Sequence, residues 1–440
     1  MLIDKTTLND LSIFDTGAGF SVFEKIDLTN TSHGRDALYK MLSQPLESIE
    51  KIRGVQDTLK RMIEKADQIR SGITNGTLMV IENFYLTNID RIPSRPGKFS
   101  SLSYKLFYGP DYSLVKYSVE HSFEFLRGMS KILDLRSDNT PEPLSRVMKE
   151  IEDHLKAGEI KELLKYGSFK QVQVTDILRY GHFLRYRFKR QILDLVRLYG
   201  ILDAWNSMGK AVVQFGLTFP EFIEKEDPLI SIEGFYHILL ENAIPYDLEL
   251  DKQNKFLFLT GANMAGKSTF IKAVGTTVFL AHTGLGVPAK NMSLTFFEGM
   301  LSNINVMDNL VKGESYFYNE VQRIKSTLTR INDGRKWLIL IDELFKGTNV
   351  EDAMKCSKTV IEGLLRIPNS LFILSTHLYE IGHDLKDHKG IVFNFFETKL
   401  KDDVLHFEYR LKPGISQDRL GYLILKQEGV VDLLGRLGEQ

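Results

Sequence analysis

The sequence holds one cysteine, Cys356, in 440 residues. No internal disulfide can form, so a secreted disulfide-stapled scaffold is excluded and a reducing cytoplasm is the expected location. No stretch approaches about 18 uninterrupted apolar residues, so no membrane span is expected. There is no surplus of one charge either: 56 Lys and Arg stand against 57 Asp and Glu, a net −1. That balance argues against a binder held to nucleic acid by charge alone. The opening residues MLIDKTTLND lack the basic segment and apolar run of a signal peptide. No fixed-period repeat is visible, which excludes a solenoid of short repeats. What remains is an ordinary soluble composition, 43% hydrophobic and 26% charged. Its length predicts two or three domains.

Charge is uneven along the chain. Residues 91–200 carry 20 Lys and Arg against 13 Asp and Glu, a local +7. This fits either a solvated helical surface or a modest basic face toward a phosphate backbone. Residues 1 to about 240 read mostly as helix. In 147–167, Val147, Ile151, Leu155, Ile160, Leu163 and Leu164 recur at helical spacing, and 186–205 repeats the pattern. A loop is expected at IPSRPGKFSSLS, 92–103. Beyond about residue 250 the pattern changes. Short apolar runs, KFLFLT (255–260), WLILIDE (337–343) and LFILSTH (371–377), are separated by helix-length segments, as in an α/β fold with a largely parallel sheet. Residues 391–411 read as two strands around Lys401-Asp402-Asp403, a hairpin.

Gly261-Ala262-Asn263-Met264-Ala265-Gly266-Lys267-Ser268-Thr269 fits G-x-x-x-x-G-K-[ST], after a strand-like run and before a helix-like one. Glycines let the backbone curl so that several N–H groups face one phosphate chain, and the helix N-terminus adds positive potential. Lys267 is placed to reach the β- and γ-phosphates and Ser268 to ligate Mg²⁺. Four apolar residues, Leu338–Ile341, lead into Asp342 and Glu343. The pattern sets Asp342 at a buried strand's carboxyl end to hold the Mg²⁺ shell, with Glu343 as general base toward water. His377 ends another such strand, 34 residues after Glu343, where it can sense a γ-phosphate or orient water. The order of these parts suggests an ABC-like ATPase. His33, His182 and His237 show no metal-ligand spacing, and Cys356 reads as a small apolar helix residue.

These residues, taken together, resemble the MutS family of DNA mismatch-repair ATPases. TGANMAGKST (260–269) is similar to its phosphate loop, and FLAHTGLGVPA (279–289) to its Val-Pro-Ala helix end. GESYFYNE (313–320) matches G-x-S-x-F-x-x-E. DELFKGTN (342–349), STHLYE (375–380) and 410–430 resemble its further ATPase segments. More weakly, Thr31, Gly34, Arg35, Leu38, Pro45, Leu46, Ile49 and Arg53 follow the order that opens its helical core or lever domain. Leu38, Leu42, Leu46 and Ile49 are spaced as a buried stripe, with Pro45 breaking the helix.

The resemblance implies an α/β ABC-like P-loop NTPase domain at 241–440, preceded by a mostly α-helical core or lever domain at 1–240. A DNA-gripping clamp, if the chain has one, falls within 90–180. The expectation is a short relative without the mismatch-reading and connector domains, with a shortened C-terminal dimerisation element and no appended nuclease. Phe345-Lys346 stands where the family usually has Gly-Arg, and Ala243 where an aromatic often stacks on adenine. Tyr409 resembles the other base-contacting position. The implied activity is Mg²⁺-dependent ATP hydrolysis. Residues 261–269 would bind ATP, and Asn263 would contact the γ-phosphate. Ser315, otherwise readable as a helix N-cap, would complete the partner's site in a homodimer. Double-stranded or branched DNA is the implied partner; the alternative is an ATP-switched dimeric scaffold for another protein.

Overall fold

The computed structural model describes residues 1–14, 20–66, 72–304, 316–401, 404–416, 429–430 and 433. Two compact units form. One comprises Met1–Lys25, Pro45–Ile52 and Phe215–Gln440; the other comprises Ile26–Gln44 and Arg53–Gln214.

The first unit is mixed α/β. Its strands are β1 (Leu2–Ile3), β2 (Glu221–Phe222), β3 (Ile230–Phe235), β4 (Tyr246–Leu250), β5 (Phe256–Thr260) and β6 (Asn291–Leu294). They continue with β7 (Gly299–Asn303), β8 (Trp337–Asp342), β9 (Ser370–Thr376), β10 (Ile391–Lys401) and β11 (Val404–Pro413). The larger sheet has the order β1-β7-β8-β9-β5-β10-β11. Every pairing in it is parallel except that of β10 with β11. A smaller sheet runs β2-β6-β3-β4.

The three apolar runs become β5, β8 and β9, and each is buried at every residue. Their sequences are continuously apolar because both faces of a parallel sheet are covered. On one face Phe256, Phe258, Ile339, Ile341, Phe372 and Leu374 share a core with Ile324, Ile361 and Leu385 from flanking helices. The Lys267–His282 helix packs on β8 and β9. Each such side chain contributes roughly 1.5–3 kcal/mol when fully buried. Inside that helix His282 is fully buried. Its Nδ1 donates to the Val278 carbonyl (2.8 Å) and its Nε2 accepts from the Phe297 N–H (3.1 Å). Burial pulls its pKa down to about 3, so the ring is neutral. The N-terminal segment joins the same unit. β1 extends the sheet edge, and buried Asp10 accepts from Ser302 Oγ (2.6 Å) and the Ile304 N–H (3.1 Å).

The second unit is helical in all its long elements. The Glu142–Leu155 helix buries Leu144, Val147, Met148, Ile151 and Leu155 along one stripe. The single helix expected over 147–167 is broken. Ala157, at φ −54° and ψ 133°, leaves the helical region before a second helix, Gly158–Leu164. The expected 92–103 loop is also shorter. Gly97 caps the Lys98–Phe107 helix, and its N–H bonds to Ser100 Oγ at 2.8 Å. Of the anticipated stripe, Leu38 and Leu42 are buried, while Leu46 and Ile49 are half-buried. The Ser32–Ser43 helix ends before Pro45.

One carboxylate organises the start of this unit. Asp203, on the Lys189–Gln214 helix, is buried. It accepts from the backbone N–H groups of Asn30 and Thr31 (3.0 and 2.9 Å) and from Thr31 Oγ1 (2.8 Å). Thr31 Oγ1 in turn accepts from the Gly34 N–H at 3.0 Å, capping the Ser32–Ser43 helix. Gly34 lies so close that a Cβ there would sit 2.2 Å from Asp203 Oδ2. The Thr31-x-x-Gly34 spacing is thus a cap and a clearance for one buried carboxylate. Gly34→Ala is expected to destabilise the helical unit by about 1–3 kcal/mol, as overpacking does. Urea unfolding followed by far-UV circular dichroism would check it; an unchanged midpoint would show that the carboxylate can move aside.

Candidate functional site

The loop after β5 is shaped by left-handed backbone at Gly261 (φ 146°), Met264 (φ 70°) and Gly266 (φ 105°). Gly266 opens the Lys267–His282 helix, whose first turn receives no side-chain cap. Its leading N–H groups therefore point outward for another acceptor. Lys267 is buried, and its ammonium donates to the Gly261 and Ala262 carbonyls (2.9 and 3.0 Å). Burial lowers its pKa, against the pull of Glu343 and Asp342. This ammonium rests on neutral oxygens only, and an anion placed above the loop would complete its environment.

Asp342 ends β8 and accepts a hydrogen bond from Ser375 Oγ of β9. The neighbouring Glu343 turns left-handed (φ 62°), with its N–H on the Ser375 carbonyl at 2.9 Å. Its carboxylate meets His377 Nδ1 at 3.1 Å and Lys346 Nζ at 3.2 Å. Burial pushes the Glu343 carboxyl up. The His377 hydrogen bond and the charges of Lys346, His377 and Lys267 outweigh it and hold the pKa at about 2.

Tyr409 reaches this place from β11, the edge strand two positions from β5. Opposite Glu397 of β10, β11 carries three residues, Glu408–Arg410, so the pairing shifts there. Such a bulge re-aims a side chain. Tyr409 is left-handed (φ 52°), and its Cδ1 would lie 3.2 Å from a Cβ on Gly266. A cleft of about 560 Å³ collects Asn263, Met264, Lys267, Asp342, Glu343 and Tyr409. Gly266, Ser268 and Thr269 also line it, together with Ala243, Ile244 and Tyr246. Gly261, Ala262 and Ala265 form the loop behind, and His377 reaches the cleft through Glu343. Ser315, with Gly313 and Glu314, lies outside the described residues.

Two residues gain a role that spacing did not reveal. Glu320 is buried on the Tyr316–Ile331 helix and accepts the N–H groups of Lys346 and Gly347 (3.3 and 3.4 Å). Burial raises its pKa. Phe345 is left-handed (φ 59°), a conformation that suits the glycine usual in the resembled pattern. It is buried, and its ring centroid lies 5.7 Å from that of Phe317 on the same helix. Position in GESYFYNE was the only available sign of Glu320. Phe345 was visible only as a departure. The scattered histidines have ordinary settings: His33 pairs with Glu82, His182 lies tilted against the Tyr186 ring, and His237 is buried. Cys356 packs against the sheet core. Among the described residues no cluster of metal-ligating side chains occurs, and no helix is long and apolar enough to cross a membrane.

The unit is therefore a mixed α/β body with a phosphate-loop motif and an acidic strand end facing one cleft. Residues 257–433 match the family model for MutS domain V. The chain is 25% identical to the DNA mismatch repair protein MutS of Aquifex pyrophilus over 525 aligned positions, 97% of this chain and 60% of that protein. The MutS of Leptospira interrogans (serovar copenhageni) is 30% identical over 287, covering 63% of this chain and 32% of its own length. That of Pseudothermotoga lettingae is 27% identical over 250, or 56% and 30%. The chain is thus similar to MutS domain V over residues 257–433 and to MutS proteins over much of its length, and it spans between about a third and three-fifths of the length of these relatives.

Lys346 is one of the charges that hold Glu343 down. Lys346→Ala is expected to move the Glu343 carboxyl titration upward from about 2, toward the ordinary range near 4.3. A ¹³C carboxyl titration would read it, and an unmoved midpoint would leave His377 as the dominant restraint.

Proposed function

We propose that this chain is an ATP-driven switch of the MutS kind, with the cleft as its nucleotide site. The observation that carries the reading is the meeting of an uncapped helix N-terminus, a buried ammonium hydrogen-bonded to backbone carbonyls, and two carboxylates in one cleft. These residues fit the triphosphate of ATP with Mg²⁺. The first N–H groups of the Lys267–His282 helix and Lys267 would hold the phosphates, with Asn263 on the γ-phosphate. Ser268 and Asp342 would hold the Mg²⁺ shell, and the metal would neutralise charge on the phosphates. Tyr409 would stack on adenine, since Ala243 offers no ring.

Hydrolysis would follow from Glu343. A water oxygen bonds to the γ-phosphorus as the bond to the β–γ bridging oxygen breaks, and the water proton passes to Glu343. A carboxylate held near 2 by His377 and Lys346 is a weak base. Catalysis in this reading therefore exchanges the Lys346 contact for water, while His377 orients that water and senses the γ-phosphate. Ser315 would complete the partner's site in trans, so that ATP tightens a homodimer and hydrolysis loosens it. The helical unit would then engage double-stranded or branched DNA through the basic excess of 91–200. The lone cysteine supports work in the cytoplasm.

Lys267→Ala is expected to lose nucleotide affinity, and Glu343→Gln to bind ATP yet turn over about 10²–10⁴-fold more slowly. Equilibrium binding of a fluorescent ATP analogue and steady-state phosphate release would measure both; wild-type turnover by Glu343→Gln would move the base elsewhere.

Assembly has a separate test. Lys267→Ala and Ser315→Ala subunits are each expected to be inactive alone. Mixed, they rebuild one whole site if Ser315 acts in trans, so partial ATPase activity returns. A cis arrangement returns none. DNA-stimulated ATPase activity, lost as salt rises, separates the DNA-linked switch from a scaffold for protein.

A further inference from the structure

On the Lys98–Phe107 helix, Ser101 and Tyr104 face inward. The opposite face is apolar and bare. Phe99 is 87% exposed, Leu102 64%, Leu106 76% and Phe107 76%. Residues 99, 102 and 106 stand at i, i+3 and i+7, so they form one stripe pointing away from the helical unit. Single exposed apolar residues are ordinary; a continuous stripe of them marks a contact surface.

Charge around the stripe selects what covers it. Residues 86–108 contain four cations, Arg91, Arg95, Lys98 and Lys105, and one acid, Asp90. Lys105 sits over the Tyr112 ring. Arg91, Arg95 and Lys98 are exposed and form no ion pair with a carboxylate among the described residues. We infer that this face docks an acidic amphipathic helix of a partner protein, whose apolar side covers the stripe and whose carboxylates meet Arg95 and Lys98.

Three other occupants fit less well. A second copy docked through the same face would set like charges together. Duplex DNA offers phosphate but little apolar surface, and on a single strand Phe99 and Phe107 could stack on bases while Leu102 and Leu106 between them stayed bare. An anionic bilayer would take the cations, but the exposed helix is about 15 Å long, short for an interfacial anchor. A three-turn helix with anchors at i, i+3 and i+7 matches the groove-and-stripe recognition of one helix by another. This inference does not depend on the nucleotide reading.

The test uses the full chain and a synthetic peptide of about 18 residues, five helical turns, with a leucine stripe and glutamates elsewhere. A lysine version serves as control. Fluorescence anisotropy is expected to show at least 10-fold tighter binding of the acidic peptide. The triple variant Phe99→Ser, Leu102→Ser, Leu106→Ser should weaken it at least 10-fold while keeping the unfolding midpoint, because the stripe is exposed. The double variant Arg95→Glu, Lys98→Glu should shift preference toward the lysine peptide, and it tests the idea even if the triple variant fails to fold. Equal binding of both peptides overturns the proposal. So does binding to phosphatidylglycerol vesicles or to a single-stranded oligonucleotide that the triple variant loses, when the acidic peptide does not bind. Concentration-dependent self-association abolished by the triple variant also overturns it.

Discussion

Everything at the cleft depends on the burial of β5, β8 and β9 side by side and in register. Because the strands are parallel, their carboxyl ends lie along one edge. Thr260 pairs with Thr376, and Asp342 with Ser375. The phosphate loop, the Asp342-Glu343 pair and His377 each continue one of these strands, so a single packing arrangement brings them together. These three groups need not find one another independently. A slip of one strand by a residue would turn its side chains to the other face and send its terminal acid or histidine elsewhere. The continuous apolar runs form the core of the sheet.

The loops that extend from this edge hold strained backbone. Among the described residues, Met264, Glu343, Phe345 and Tyr409 are four of the five non-glycine positions with positive φ. Such conformations cost of order 1–3 kcal/mol each and persist where surrounding contacts over-determine them. Here those contacts are specific. The Glu343 N–H is tied to β9, Phe345 is buried against Phe317, and Lys346 and Gly347 are held by Glu320. The helix that begins at Tyr316 is therefore joined by a ring contact and two hydrogen bonds to the loop carrying the acidic pair. Any shift of that loop is felt by the helix, and the reverse.

The helical unit shows the opposite economy. Its opening turn is fixed by one carboxylate, Asp203, whose hydrogen bonds to Asn30 and Thr31 and close approach to Gly34 allow little variation. Away from that point the unit tolerates exposed apolar surface. The bare stripe of the Lys98–Phe107 helix has no folding role, since its inward face already buries Ser101 and Tyr104. Packing accounts for the first feature and leaves the second to recognition.

Much of this was legible in residue order. Continuous apolar runs ending in an acid or a histidine can satisfy both faces only as central parallel strands, so WLILIDE and LFILSTH declared their place and their ends. The spacing of Gly261, Gly266 and Lys267 likewise declared a curled loop before a helix, because those conformations are local. Helix breaks were less legible: Ala157 leaves the helical region where the apolar spacing runs on, since periodicity registers faces and not ends. Other features needed the tertiary structure because each joins residues distant in the chain. Asp203 meets Gly34, Glu320 meets Lys346, and the bulge that turns Tyr409 toward Gly266 depends on how β11 pairs with β10. The sequence by itself determined the sheet and the loop, whose causes are local patterning and burial. Only the tertiary structure decided which distant groups share a charge or a ring contact, because those energies exist only once separate elements have packed.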